Sequence, residues 1–150
     1  MTASDVYQLL PFENALVALD LTGEQLLSFL NVVVSHRDAQ SGARITYRTN
    51  DKKENEVVAV RLGLAGAEKE IDPRATYTIV TIDYLVSRGG DYSLLKEAKN
   101  VRPLGLTMRD AVLDYVKAET AAGRNIKAQL DGRFRQDRPD GAKTEDDEPQ

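Results

Sequence analysis

Residues 5–30, DVYQLLPFENALVALDLTGEQLLSFL, change pattern several times within one short run. Ser4 and Asp5 offer N-cap side chains, and Val6, Leu9 and Leu10 follow at helical spacing, which predicts a short helix. Pro11 ends it, because the residue before a proline is pushed out of the α region. Ala15–Leu21 (ALVALDL) is mostly apolar and of strand length, and it reads as a buried strand. Thr22 and Gln25 form a capping box. Behind them Leu26, Leu27, Leu30, Val33 and Val34 mark one face of a helix that ends before Ser41-Gly42. Helix, loop, buried strand and helix thus succeed one another directly, which sets a mixed α and β frame.

Further along, Ala43–Arg48 alternates Ile45 and Tyr47 with Arg44, Thr46 and Arg48, the pattern of a half-exposed strand. Residues 50–55 (NDKKEN) are a polar turn, and Val57, Val58, Val60 and Leu62 form the next strand. Residues 64–73 (LAGAEKEIDP) read as turns, and Tyr77–Ile82 (YTIVTI) carries the strongest strand pattern. Thr107 and Asp110 open a second long helix, with Met108, Ala111, Val112, Tyr115 and Val116 on its inner face and Gly123 as its C′ stop. There is no internal repeat. These elements predict an α+β fold, a single domain of mixed sheet with packed helices over residues 1–134. Residues 135–150 carry too little apolar area to offset the entropy of ordering and are expected to form a disordered acidic tail.

Composition excludes several classes of function. The 150 residues carry a formal net charge of −4. Residues 135–150 hold three basic and six acidic side chains, so the body is left with about −1. A near-neutral body without a Lys/Arg run has no electrostatic footprint for a nucleic-acid backbone. Zero Cys removes disulfides, thiolate nucleophiles and cysteine metal sites. One His, His36, cannot build the usual zinc site, so no metal ligands and no catalytic residues are assigned to this chain. His36 follows Val32-Val33-Val34 near a helix end, where a cation suits the dipole. No stretch approaches the ~20 apolar residues of a transmembrane helix.

Two loops could carry chemistry. Leu10–Asn14 places an aromatic, Phe12, and an amide, Asn14, between a helix and a buried strand. Alone they read as a core plug and a turn former. Residues 83–92 (DYLVSRGGDY) follow the best strand, and Gly89 and Gly90 allow positive φ and close approach of a ligand. Asp91 behind them can accept two hydroxyl hydrogen bonds, as a ribose diol offers; alone, Gly-Gly-Asp is a tight turn with an Asx cap. Together, an aromatic from each loop could sandwich a flat ring, worth ~1–3 kcal/mol per stacked base. Asn14 would then read the ring edge and Asp91 the sugar. Arg44, Arg48, Arg61 and Arg88 could meet phosphate, but their spacing selects none of them.

The ordered segments 5–30, SGARITYR (41–48), EVVAVRLGLAGAEKEIDPRATYTIVTIDYL (56–85), GGD (89–91) and DGRF (131–134) resemble the C-terminal domain of the 5′-nucleotidase family. That family includes bacterial UDP-sugar hydrolases and ecto-5′-nucleotidase, usually periplasmic, cell-surface or secreted. The resemblance implies a substrate-recognition domain that works with an N-terminal metallophosphatase domain carrying two divalent metal ions. It implies that Phe12 and Tyr84 sandwich the base, that Asn14 reads the base, and that Gly89, Gly90 and Asp91 form the sugar-binding loop.

Three positions depart from the family pattern. Val86, Ser87 and Arg88 stand between DYL and GGD where two residues are usual, Tyr92 replaces a Gly, and Glu13 stands where Gly is common. The arginines with which the family grips phosphate lie upstream of LPF. The expected function is therefore recognition of a nucleoside or nucleotide, without hydrolysis by this chain alone. The alternative is a degenerate domain kept for protein association.

Overall fold

The computed structural model describes residues 2–63 and 66–137. Strands and helices interleave in an α+β arrangement: α1 (Ala3–Leu9), β1 (Ala15–Thr22), α2 (Gly23–His36), β2 (Ala43–Thr49), β3 (Asn55–Leu62), β4 (Lys69–Glu70), β5 (Thr76–Ile82), α3 (Asp83–Arg88), a 3-10 helix (Gly90–Glu97), β6 (Lys99–Thr107), α4 (Met108–Ala121) and β7 (Phe134–Gln136). The described residues divide into two compact units. The first takes the chain up to Phe29 and Asp72–Leu130; the second takes Leu30–Ile71 and the chain from Asp131.

The first unit is built on a three-stranded sheet in the order β5-β1-β6, with β1 antiparallel to both neighbours. A central strand has no solvent edge, which suits the mostly apolar run: Val17, Ala18, Leu19 and Leu21 are all buried. Register pairs Leu16 with Ile82 and Ala15 with Thr107. The start of β1, the end of β5 and the end of β6 therefore lie together. Capping boxes begin α1, α2 and α4. Thr22 and Gln25 exchange bonds of 2.9 and 3.2 Å ahead of α2, and Thr107 and Asp110 do the same ahead of α4. The N-cap of α1 is Thr2, with Asp5 in the N3 position that closes its box; the expected cap at Ser4 or Asp5 is thus displaced toward the chain start, where the threonine hydroxyl reaches Asp5 N–H.

One further expectation in this unit, Tyr115 on an inner face, is corrected, and β6 is a strand that no sequence pattern announces. Tyr115 is 56% exposed, while Arg109 of the same helix is buried. β6 has no readable pattern because its residues are almost all exposed. It also carries Pro103, positive φ at Asn100 and Gly105, and two register shifts against β1. Such features are tolerated because β6 is an edge strand.

The second unit holds a four-stranded sheet in the order β4-β3-β2-β7. β2 pairs antiparallel with β3 and parallel with β7. The polar turn at 50–54 closes through Asn50, whose side-chain oxygen takes the N–H groups of Lys52 and Glu54 at 2.9 and 3.0 Å. Leu30, Val33 and Val34 of α2 are buried, as are Ala43, Ile45 and Val60. Arg135 and Gln136, expected in the tail, belong to β7. Backbone pairing with Thr46 and Tyr47 orders them without apolar burial. The rest of the expected tail, residues 138–150, lies outside the described residues.

Candidate functional site

Every residue expected at the site falls in the first unit. The Leu10–Asn14 loop leads into β1, α3 leaves β5, and α4 leaves β6. The strand register brings these three departures to one end of the sheet.

Phe12 is 73% exposed and Tyr84 46% exposed. Large aromatic surface left in water at a loop held by several polar contacts is the opposite of the core-plug reading of Phe12. Three contacts hold the loop. Met108 N–H donates to Asn14 O at 2.9 Å. Asp83 Oδ1 accepts Ala15 N–H at 3.1 Å and, through the same oxygen, Tyr84 N–H at 2.8 Å. Arg109 reaches across from α4: Nε donates to Leu10 O and Nη2 to Pro11 O, both at 2.9 Å. Its third nitrogen, Nη1, stands 3.5 Å from Glu13 Oε1, and its Cζ lies 4.5 Å from the centre of the Tyr7 ring. That side chain is only 9% exposed, so its charge is desolvated and engaged at every nitrogen.

On the other side, Gly89 and Gly90 both take positive φ, 79° and 65°. Gly89 is buried, and a Cβ there would stand 2.9 Å from the Lys96 ammonium nitrogen. Asp91 lies exposed in the first turn of the 3-10 helix. Arg88 places its Cζ 5.2 Å from the Tyr84 ring centre, a cation–π contact on that ring. Tyr92, which stands where the family has Gly, offers no face for a ligand. It is 8% exposed and packs on Phe29 with ring centres 5.9 Å apart at 56°. Glu13 points its carboxylate largely to solvent, at 81% exposure.

The residues that fix this geometry, Asp83 and Arg109, were not singled out from sequence. Arg109 carried one signal. It occupies the first turn of a capped helix, where a cation opposes the dipole, so its presence there calls for a partner elsewhere. Away from the loops, Asp20 on β1 crosses the sheet. It accepts from Thr78 Oγ1 at 2.7 Å and Asn100 Nδ2 at 2.8 Å, and these bonds hold its carboxyl below the usual range. Among the described residues, no group of three or more His, Cys, Asp or Glu side chains gathers to hold a metal ion. No described helix is long and apolar enough to cross a membrane.

Comparison with known proteins gives a consistent picture. Residues 1–97 match the family described as 5′-nucleotidase, C-terminal domain. The chain is 25% identical over 144 residues to the trifunctional nucleotide phosphoesterase protein YfkN of Bacillus subtilis, covering 91% of this chain and 10% of that protein. It is 29% identical over 127 residues to a 5′-nucleotidase-related protein of Glossina morsitans morsitans, covering 76% and 23%. The crystal structure of a 5′-nucleotidase precursor from Thermus thermophilus superposes with a TM-score of 0.74 at 30% identity, over 91% of this chain and 28% of that one. The chain thus spans less than a third of the length of each of these proteins.

Proposed function

The chain belongs to the 5′-nucleotidase C-terminal domain family, and we propose that it recognises the nucleoside part of a nucleotide on behalf of a metallophosphatase domain. The base lies between Phe12 and Tyr84, Asn14 reads its edge, and the Gly89-Gly90-Asp91 loop takes the sugar hydroxyls. The observation that carries this reading is the pairing of two exposed aromatics on segments joined by one carboxylate, that of Asp83. Exposed rings are costly to leave in water, and a flat base is a partner that buries both faces of the gap they define.

Hydrolysis of this class uses two metal ions to activate water and hold the leaving oxygen. The described residues offer no donor cluster for them. The metals and the bond-breaking step are therefore assigned to an N-terminal metallophosphatase domain of the parent protein. What remains for this chain is binding and orientation of the substrate, which by itself reduces the entropic part of a barrier.

The test is titration of the chain with adenosine, following amide chemical shifts. Shifts should cluster at Phe12–Asn14, Tyr84 and Gly89–Asp91. Phe12→Ala should weaken binding by about tenfold, the equivalent of ~1.4 kcal/mol within the range for one stacked base. Absence of shifts at millimolar adenosine, or undiminished binding by Phe12→Ala, overturns the proposal. That result favours the competing reading, a domain kept for protein association, which draws on the Arg88 guanidinium already lying over Tyr84.

A further inference from the structure

Arg37 ends α2 in the second unit with a φ of 58°. Its N–H donates to Val34 O at 3.2 Å, and Asp38 N–H donates to Val33 O at 2.9 Å. These are the paired bonds of a Schellman helix end, whose left-handed residue is usually glycine. An arginine at that position carries backbone strain that glycine would not. Among the described residues its guanidinium makes no hydrogen bond or ion pair. The neighbouring carboxylate, Asp38, faces His36 Nδ1 at 3.9 Å.

The Arg37 side chain lines a cavity of about 200 Å³, together with Val34, Tyr47, Asn55 and Phe134. All five residues belong to the second unit, whereas the nucleoside-site residues belong to the first. The lining combines an aliphatic wall, two aromatic rings, an amide and a cation without a partner among the described residues. Asn55 Oδ1 already accepts Thr49 Oγ1 at 2.9 Å, which leaves its NH₂ as the polar group to offer. The cavity therefore presents donors and a positive charge, with no carboxylate among its described lining residues.

The cavity is partly open to solvent, and its volume suits a small ligand. A cavity of ~150 Å³ with apolar walls holds a benzene, while sites for drug-sized ligands begin near ~300 Å³. One six-membered ring with one small substituent fits the interval. The charge selects an anion, and the planar fork of arginine matches a carboxylate.

We propose that this cavity is a binding site for a small aromatic carboxylate, with the ring against Tyr47, Phe134 and Val34 and the carboxylate on Arg37. The left-handed strain at Arg37 is retained because glycine there would remove the one cation among the described lining residues.

Benzoate is the probe, with benzamide as the ring without charge and acetate as the charge without ring. Titration of the full chain with benzoate should shift the amides of Val34, Arg37, Tyr47, Asn55 and Phe134 and saturate in the millimolar range. Benzamide and acetate should each bind about tenfold more weakly or less. Arg37→Gly removes the guanidinium at a backbone position that suits glycine. Its melting temperature should hold or rise while benzoate affinity falls about tenfold or more. Arg37→Asn, which also tolerates the left-handed region, should show the same loss. Non-saturating shifts, shifts centred elsewhere, equal binding of benzamide, or undiminished benzoate binding by both variants overturns the proposal. Adenosine binding by the first unit is read from separate resonances, so failure of either site is distinguishable from failure of the other.

Discussion

Asp83 accepts the backbone N–H of Ala15 at 3.1 Å, and the oxygen that does so also takes Tyr84 N–H at 2.8 Å. One carboxylate oxygen thereby joins two segments that are 68 residues apart in the chain. On one side is the loop that carries Phe12 and Asn14; on the other is the helix that carries Tyr84. The segments that carry the two exposed rings are thus joined through a side-chain oxygen that accepts backbone N–H groups from both. A nucleoside site built as proposed is organised before its ligand arrives, and less affinity is spent on ordering it.

Asp83→Ala should uncouple the two segments. Each lost charge-assisted bond at an exposed position is worth about 1 kcal/mol, so the variant should lose about 2 kcal/mol in denaturant unfolding. Adenosine affinity should fall by about tenfold as well, although Asp83 is not placed against the ligand. Asp83→Asn keeps an acceptor oxygen and should recover part of both losses. Full stability together with full affinity in Asp83→Ala would show that the junction does not set the site.

Arg109 supports the same loop from the far side, through Leu10 O and Pro11 O. Its removal leaves two carbonyls without their donor and breaks the stack on Tyr7. Arg109→Ala should cost about 3 kcal/mol, in line with losing charged hydrogen bonds at a buried site. Arg109→Lys should recover less than half of that, since an ammonium cannot address two carbonyls in the fixed fork of a guanidinium. Equal stability of the lysine variant and the parent in urea unfolding would contradict the fork.

How much of this was legible in the sequence follows from how far each signal reaches. β1, α2, β2, β3, β5 and α4 announce themselves through local apolar period and capping residues, and the structure places them within a residue or two of those signals, except that α2 already stops at His36, well short of Ser41-Gly42. β6 and β7 are held by backbone pairing to β1 and β2, and their own side chains say almost nothing. The Gly-Gly pair signalled positive φ correctly because that property is local. Asp83 and Arg109 act on residues 68 and 96 or more positions away, so no spacing within the chain could reveal their partners. Tyr92 shows the converse: a tyrosine beside a binding motif looks available for stacking, but burial against Phe29 removes it.

Gly23 carries a requirement that its place in a DLTG run does not explain. A Cβ on it would stand 2.0 Å from Asp72 O and 2.8 Å from Pro73 Cα. The approach is close because Gly23 N–H donates to Ala75 O at 2.9 Å and Glu24 N–H to Pro73 O at 3.1 Å. The obstructing atoms are backbone and cannot swing aside. Gly23→Ala should therefore destabilise by about 3 kcal/mol despite its better helix propensity, the cost of forced overpacking. At ~2–4 °C per kcal/mol for a chain of this size, the thermal midpoint should fall by about 6–12 °C. An unchanged midpoint would mean that this contact yields without cost.

The DGRF run holds a carboxylate with a strongly displaced titration. Asp131 is lowered from the usual 3.8 to about 2, first by the Arg133 side chain that hydrogen-bonds it and then by the Arg133 N–H. A carboxyl whose folded pKa is depressed contributes stability above its unfolded pKa and loses it as pH falls through the folded value. The contribution is therefore complete above about pH 4 and gone by about pH 2. Both groups are exposed, so salt should weaken it. Carboxyl chemical shifts should give a midpoint near 2 for Asp131 in the parent. Arg133→Ala should move that midpoint upward toward 3.8, and the acid limb of the stability curve should then begin at higher pH. Arg133 also donates through Nη1 to Gln40 O at 2.9 Å, and its carbonyl accepts Ile45 N–H at 2.8 Å. The variant should thus loosen the pairing of β7 with β2, read as faster amide exchange at Ile45 and Asp137. A midpoint for Asp131 that does not move on removal of Arg133 would assign the depression to the backbone alone.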